Sequence, residues 1–443
     1  MSESINWENE LAWIGDYRFP LFRRNQSYIE LLTEWMHGYC VHIDSCSSLC
    51  KDKKAQVKRF SLQLLECHKL YLSSYFAEAY SLFKQTMDEV QDALLSDDFG
   101  ANTNNYYRIR QGDKPYTYLE MLHIPFSKRQ FAATGRFSAP GMPCSYLASR
   151  KEICWYECGM PRVFQMASYQ IHTNVEKRKL LRLDINPLLM KHDLSVLFRK
   201  KLIDNDGIKY ISKQLFFVLP LVAMCSVSTS KREGSFVEEY IIPQMLMAWL
   251  RNNSAFIGVR YYSYSSNDLV RCNSGHNVAI PVRDSDNKGY SAEICSLFDF
   301  SEDSQSETID LSNKLKEKFS QEIVALESFL EKVTYEKQHF KKDSDLHISC
   351  ATVELYSKFC SICESLLSLL NDFSECSEQS RYGIILTLAK IHEWGTLLKE
   401  HIISHRSTYD ESANDYIDYF NRDILELMHS ISTFFRMGLI WEH

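Results

Sequence analysis

Apolar residues recur at three- and four-residue intervals through "SYIELLTEWMHGY" and "RFSLQLLECHKLYLSSYFAEAYSLFKQTMDEVQDALL", and then that spacing stops. From about Tyr106 to Asp284, short apolar runs alternate with turns rich in Gly and Pro. After Thr308 the helical spacing returns, with Leu311, Leu315, Phe319, Ile323, Leu326, Leu330 and Val333 on one stripe. An apolar period that changes from 3.6 to 2 and back excludes a single uniform architecture. It predicts an α+β fold with a helical N-terminal region over 1–99, a mixed domain over 100–298 and a helical C-terminal bundle over 308–443. The polar stretches Ser96–Asn105, "SDDFGANTNN", and Asp299–Thr308, "DFSEDSQSET", are predicted as linkers.

Within the middle region the predicted strands are Tyr106–Arg110, Cys144–Ala148, Leu180–Ile185, Phe216–Val222, Phe256–Tyr262 and Asn277–Val282, with helices at about 150–158 and 238–251. The longest apolar run, Leu215–Val227, is shorter than the ~20 residues of a membrane span and contains Pro220. The opening "MSESINWENELAW" lacks the basic-then-apolar order of a signal peptide, so a cytoplasmic protein is expected. A net charge of -7 makes nucleic acid an unlikely partner.

Fourteen cysteines in scattered positions suit a reducing compartment, where a thiol packs as a small apolar group. Cys360 and Cys363 form a CxxC inside an apolar helical pattern, which makes them core. His42, Cys46 and Cys50 recur every four residues, a spacing that would align three soft ligands on one helix face. No second pair completes a zinc-finger spacing, so no metal site is assigned.

The most informative stretch is "TGRFSAPGMPCSYLASRKEICWYECG": a Gly/Pro-rich loop, a short strand and a helix. Ser149 is a candidate N-cap and Glu152, three positions later, completes a capping box. Glu157 follows Ile153 by four residues, on the apolar side of that helix. A carboxylate there is costly unless it is used or paired. Exposure, or an ion pair with an Arg, is the structural alternative.

Taken with their flanks, these pieces resemble the RES domain family, named for its Arg, Glu and Ser. "YYRIR" is similar to the family's first-strand Arg motif, which places Arg108. The stretch from Thr134 to Glu157 resembles its Gly-Arg, Pro-Gly, Tyr-Leu-Ala-Ser and helical Glu sequence, which places Tyr146 and Glu157. "EEYIIPQMLMAWL" resembles the helix with a Tyr and a Pro-Gln pair, "GVRYYS" the strand ending in the family Ser, here Ser263, and "GHNVAIP" the closing strand with Asn277. The resemblance runs over about residues 105–283. It implies an ADP-ribosyltransferase-like core, which the helical spacing of the chain flanks with all-α regions. It also implies a toxin of a toxin–antitoxin pair that cleaves the nicotinamide–ribose bond of NAD by hydrolysis or phosphorolysis. Phosphate is then a possible co-substrate, an antitoxin or regulatory protein a partner, and phage defence a setting. The helical flanks could also support a homo-oligomer.

The residue types suit that chemistry. Cleaving an N-glycosidic bond develops an oxocarbenium-like cation, which an ionised carboxylate stabilises, and Glu157 is assigned that role. A cationic nicotinamide ring takes an aromatic face, here Tyr146. A pyrophosphate takes a guanidinium fork, Arg108, with Arg136 as a second candidate. Ser263 can hydrogen-bond the ribose or carboxamide, and Asn277 can support Glu157. No GxGxxG fingerprint is present, so NAD is expected as substrate, with no cofactor. The structural alternatives are Tyr146 packing beneath the helix, Arg136 pairing with Glu152 and Ser263 ending a strand. Two other functions compete: transfer of ADP-ribose to a protein or nucleic acid, and a non-enzymatic scaffold built on a degenerate RES domain.

Overall fold

The computed structural model describes residues 17–311 apart from 18, 24–25, 100–104, 160, 173–177, 186, 188–189, 191–204, 230–235, 263–274, 287 and 302, with a few isolated positions beyond 311. The predicted C-terminal bundle over 308–443 lies outside the described residues, as does Cys360, except for a few isolated positions and for residues 308–310, which belong to a strand and not a helix.

Three helices open the described chain: α1 (Tyr28–Ser45), α2 (Lys51–Leu72) and α3 (Phe76–Asp88). Ser27 starts α1 with a capping box, its hydroxyl accepting from the Glu30 N–H while the Glu30 carboxylate accepts from the Ser27 N–H at 2.9 Å. Tyr28, Leu32, Met36, Tyr39 and Ile43 form its buried face. The helix ends before Cys46, which is extended, and α2 begins only after Cys50. The fourfold spacing of His42, Cys46 and Cys50 therefore does not run along one helix face. His42 Nδ1 lies 2.6 Å from the Tyr17 hydroxyl, Cys46 is buried and Cys50 is exposed.

The described strands are β1 (Ser96–Asp98), β2 (Tyr106–Gln111), β3 (Cys144–Ala148), β4 (Val163–Ile171), β5 (Lys179–Arg182), β6 (Phe256–Tyr261), β7 (Asn277–Pro281), β8 (Phe298–Asp299) and β9 (Glu307–Asp310). They form one sheet in the order β1-β5-β6-β7-β3-β2-β4-β8, with β9 also on β4. The β5–β6 pair is parallel and the other pairs are antiparallel. The remaining helices are α4 (Tyr118–Leu122), α5 (Lys151–Glu157), α6 (Asn205–Cys225), α7 (Ile241–Arg251) and α8 (Ala292–Cys295). The architecture is α+β, and no helix among the described residues is long and apolar enough to cross a membrane.

Three expectations need correction. Both polar linkers contain strands: Ser96–Asp98 pairs with Lys179–Leu181, and the second stretch ends in β9, paired to β4. Strand β4 itself, the longest in the sheet, was not predicted. Phe216–Val222 is not a strand but the middle of α6.

That last difference has a clear physical cause. Leu215, Phe216, Val218, Leu219, Leu221 and Val222 are each no more than 1% exposed. At about 1.5–3 kcal/mol per buried side chain, their burial outweighs the roughly 3 kcal/mol cost of Pro220 inside a helix. A run that is apolar all round carries no period to separate helix from strand. Pro220 supplies no N–H to the carbonyl four residues back, and the Tyr39 hydroxyl of α1 donates to that Phe216 oxygen at 2.7 Å. At the end of α6, Tyr28 donates to the Met224 carbonyl at 2.8 Å and Arg136 to those of Cys225 and Val227. The carbonyls of Phe216, Met224 and Cys225 are thus satisfied by the elements that pack on this helix.

The core has two layers. On one face of the sheet, α1, α2, α3, α6 and α7 share a continuous apolar cluster with Phe137, Leu181, Tyr261 and Ala279. On the other, Met121 and Leu122 of α4 and Ile294 of α8 pack with Leu147, Ala167, Val278 and Ile280.

Candidate active site

A cavity of about 360 Å³ lies over β2, β3, β7 and β6, four neighbouring strands. Its lining brings together Arg108, Arg136, Tyr146, Glu157 and Asn277, five of the six side chains picked from the sequence. The sixth, Ser263, lies outside the described residues.

Glu157 closes α5, the short helix after β3. Asn277 opens β7 and pairs with Ala148 on one side and Tyr261 on the other. From there its Nδ2 donates to Glu157 Oε1 at 2.9 Å. Asn277 is buried, so this donor is fixed by the sheet rather than by a mobile side chain. The carboxylate thereby keeps a set direction while leaving Oε2 for other partners. The start of α5 is tied to β7 as well: the Ser149 hydroxyl accepts from the His276 N–H at 2.8 Å. The Glu152 side chain of the predicted capping box lies outside the described residues.

Arg108 stands on β2, its Nη1 donating to the Leu122 carbonyl at 2.6 Å. Burial lowers its pKa, with the Arg110 charge adding to the effect. Among the described residues no carboxylate sits at ion-pair distance from it. A half-buried guanidinium remains charged, and with no such carboxylate among the described residues its charge is available to an anion.

Tyr146 is half-buried on β3, and its hydroxyl is fully engaged. It accepts from the Phe137 N–H at 3.2 Å and donates to Ser138 Oγ at 3.0 Å. Burial raises its pKa well above the ordinary value, so the O–H stays a donor. The turn it holds is tight, with Gly135 and Ser138 exchanging both backbone hydrogen bonds. A Cβ at Gly135 would lie 2.8 Å from Ser138 Oγ and 3.0 Å from the Tyr146 hydroxyl, which explains the glycine. Tyr146 thus lines the cavity with its hydroxyl already engaged.

Arg136 is committed differently from Arg108. Nη1 donates to the Cys225 carbonyl at 2.9 Å and Nη2 to that of Val227 at 3.0 Å. The guanidinium also lies over the Tyr240 ring, 5.2 Å from its centroid. This places a cation at the C-terminal end of α6, where the helix dipole favours it. Arg136 thus builds the wall of the cavity, with two donors already used.

Several functional neighbours escaped the sequence reading. Gln244 of α7 donates through Nε2 to Thr134 Oγ1 (3.1 Å), the Gly135 carbonyl (3.0 Å) and the Ser138 carbonyl (3.2 Å). It pins the loop carrying Arg136, and its only signal was the Pro-Gln pair at the head of α7. Tyr240 and Tyr261 complete the wall, Tyr261 packed against Phe137 with ring centroids 4.5 Å apart. Cys154 and Cys158 also line the cavity. Their spacing of one helical turn was legible in "CWYEC".

The chain matches no known protein-family pattern, and no solved structure matches it. A curated relative from Bacillus subtilis (strain 168), named "Putative toxin YopC", is 29% identical over 271 residues, 58% of this chain and 60% of that protein. The chain therefore spans about 60% of the length of the curated relative it matches.

Proposed function

We propose that this chain is a RES-type toxin that degrades NAD in the cytoplasm by breaking the nicotinamide–ribose bond. The observation that carries the proposal is the 2.9 Å hydrogen bond from Asn277 to Glu157, in a cavity shared with a half-buried Arg108 that has no carboxylate at ion-pair distance among the described residues. The order of motifs over residues 105–283 and the printed name of the Bacillus relative support the same reading.

In this reading Arg108 takes the pyrophosphate of NAD and the Tyr146 ring takes the nicotinamide face. Arg136 and Gln244 hold the loop that frames both. Glu157, oriented by Asn277, faces the ribose and stabilises the positive charge that develops as the glycosidic bond breaks. The electron pair of that bond leaves with neutral nicotinamide. Water or phosphate then adds to the anomeric carbon and loses a proton. Ser263 is assigned to orienting the ribose. An antitoxin or regulatory protein would restrain such an activity in the producing cell.

The test is incubation of the purified chain with NAD, with and without phosphate, reading nicotinamide by chromatography beside Glu157→Ala and Arg108→Ala. Release that both substitutions abolish is expected. Its dependence on phosphate separates phosphorolysis from hydrolysis, and ADP-ribose found on a protein or nucleic acid would instead indicate transfer. A wild-type chain that binds no NAD and is as harmless to cells as Glu157→Ala would overturn the proposal in favour of a scaffold.

A further inference from the structure

The part of the cavity wall that carries Arg136 and Tyr240 is tied at two points to residues 21–23, far upstream of the motifs over 105–283. Leu21 forms a parallel β-bridge with Val227, and its carbonyl accepts from the Ser228 N–H at 2.8 Å. Two residues on, Arg23 Nη1 donates to Glu239 Oε1 at 2.9 Å, and its Nη2 lies 3.9 Å from Glu238 Oε2. The Glu239 side chain is only 6% exposed, and among the described residues Arg23 is the cation at ion-pair distance from it. Glu239 belongs to the short turn Glu238–Tyr240, closed by the Tyr240 N–H on the Val237 carbonyl at 3.0 Å. Val237 and Tyr240 both line the cavity.

Arg136 joins the two points of attachment. It donates to the carbonyl of Val227, the residue bridged by Leu21, and its guanidinium lies over the ring of Tyr240, the residue after Glu239. The contacts therefore close on themselves: Leu21 holds Val227, Val227 holds Arg136, Arg136 covers Tyr240, and Glu239 returns to Arg23. A fully exposed ion pair would fix little. This one is buried at its carboxylate end, where an unpaired charge is costly, so Arg23 sets where Glu239 sits. Tyr240 follows as the next residue of the same turn.

We propose that Arg23 is a positioning residue for the cavity, acting through Glu239 to hold Tyr240 and Arg136 where a ligand meets them. Residues 21–23 are then a clasp belonging to the binding unit, not a separate helical layer. Glu157 is held independently of this clasp, by Asn277 of β7. If the NAD-cleaving reading holds, on which the kinetic half of the test rests, an open clasp weakens NAD binding and leaves the bond-breaking step alone. That separation shows as a rise in KM at constant kcat.

The experiment uses the full chain with Arg23→Met, Arg23→Lys and Glu239→Gln, read by amide hydrogen exchange and by nicotinamide release. Met keeps the apolar stem of Arg23 and removes its charge. In Arg23→Met, amides over 134–138 and 237–244 should exchange roughly tenfold faster, while those of Cys144–Ala148 and Asn277–Pro281 keep the wild-type rate. KM for NAD should rise at least about fivefold with kcat within about twofold, and Arg23→Lys, which keeps the charge, should restore most of both. Glu239→Gln, nearly the same shape, should match Arg23→Met, and the two together should be no worse than either alone. It carries the test by itself should Arg23→Met not fold. Wild-type exchange over 134–138 and 237–244 in these variants would overturn the proposal. So would exchange that accelerates equally across the whole sheet, since Arg23 would then be a general stabiliser. A fall in kcat at constant KM would refute the separation from Glu157. A wild type that releases no nicotinamide would defeat the NAD reading, and the exchange rates would still decide the clasp.

Discussion

Replacing Asn277 with Ala removes one interaction and little else. The backbone of residue 277 keeps its pairing with Ala148 and Tyr261, and only the amide that donates to Glu157 at 2.9 Å is lost. A hydrogen bond to a charged group is worth about 1.5–3 kcal/mol. If all of it serves to hold the carboxylate for the transition state, kcat/KM for NAD falls about 10- to 150-fold, since each ~1.36 kcal/mol is tenfold in rate. Nicotinamide release measures this, with a denaturation curve to confirm that the fold survives. The sharper arm is the double-mutant cycle. In a Glu157→Ala background the amide has no carboxylate to hold, so Asn277→Ala should cost nothing further. Additive losses across the cycle would refute the argument, because Asn277 would then act on something other than Glu157. So would an Asn277→Ala rate within about twofold of wild type.

Two predictions concern stability. Arg260 on β6 is 7% exposed and lies 2.8 Å from both Asp184 Oδ2 and Asp97 Oδ2. Arg260→Met leaves Asp184 buried beside Arg182 alone and should cost about 3 kcal/mol by urea unfolding; a loss under about 1 kcal/mol would show that Arg182 suffices. His68 on α2 is fully buried, and burial lowers its pKa from 6.5 to about 4 despite Glu238 Oε1 at 3.5 Å. The unfolded chain therefore takes the proton first as pH falls, so the stability from neutral His68 is complete above pH 6.5 and is lost from there down to about 4. The slope is at most about 1.4 kcal/mol per pH unit. His68→Leu should flatten it, and equal slopes for the two proteins would refute the assignment.

The parts of the site that were legible in the sequence rest on short-range chemistry. Turn glycines, a strand of Cys144–Ala148 and a carboxylate on a helix are local signals, and the ordered motifs joined them. What was not legible depends on partners far along the chain. Strand β4 hides because Gln165 stands where an apolar residue would complete the pattern. In the fold its amide is met by Thr308 and its carbonyl accepts from Ser306, 143 and 141 residues away. Ser96–Asp98 has a linker's composition, and only the edge of β5 makes it a strand. Arg136 has the residue type of a phosphate ligand, but the end of α6, which claims two of its donors, lies 89 residues downstream.

The same long-range logic bears on how the helical N-terminal segment relates to the site. Pro220 could stand inside α6 because Tyr39 of α1 satisfies the Phe216 carbonyl that the proline leaves unpaired. Tyr28 of α1 does the same for Met224, one residue before the carbonyl that Arg136 holds. Arg23 reaches across to Glu239, at 2.9 Å, beside Tyr240 of the cavity wall. Each unmet buried carbonyl would cost about 1–3 kcal/mol, a large share of the 5–15 kcal/mol that holds a typical domain. The segment that frames the cavity is therefore completed by α1, and the sheet and the N-terminal helices share one apolar cluster. The N-terminal helices therefore support the end of α6 on which Arg136 rests, and with it one wall of the cavity.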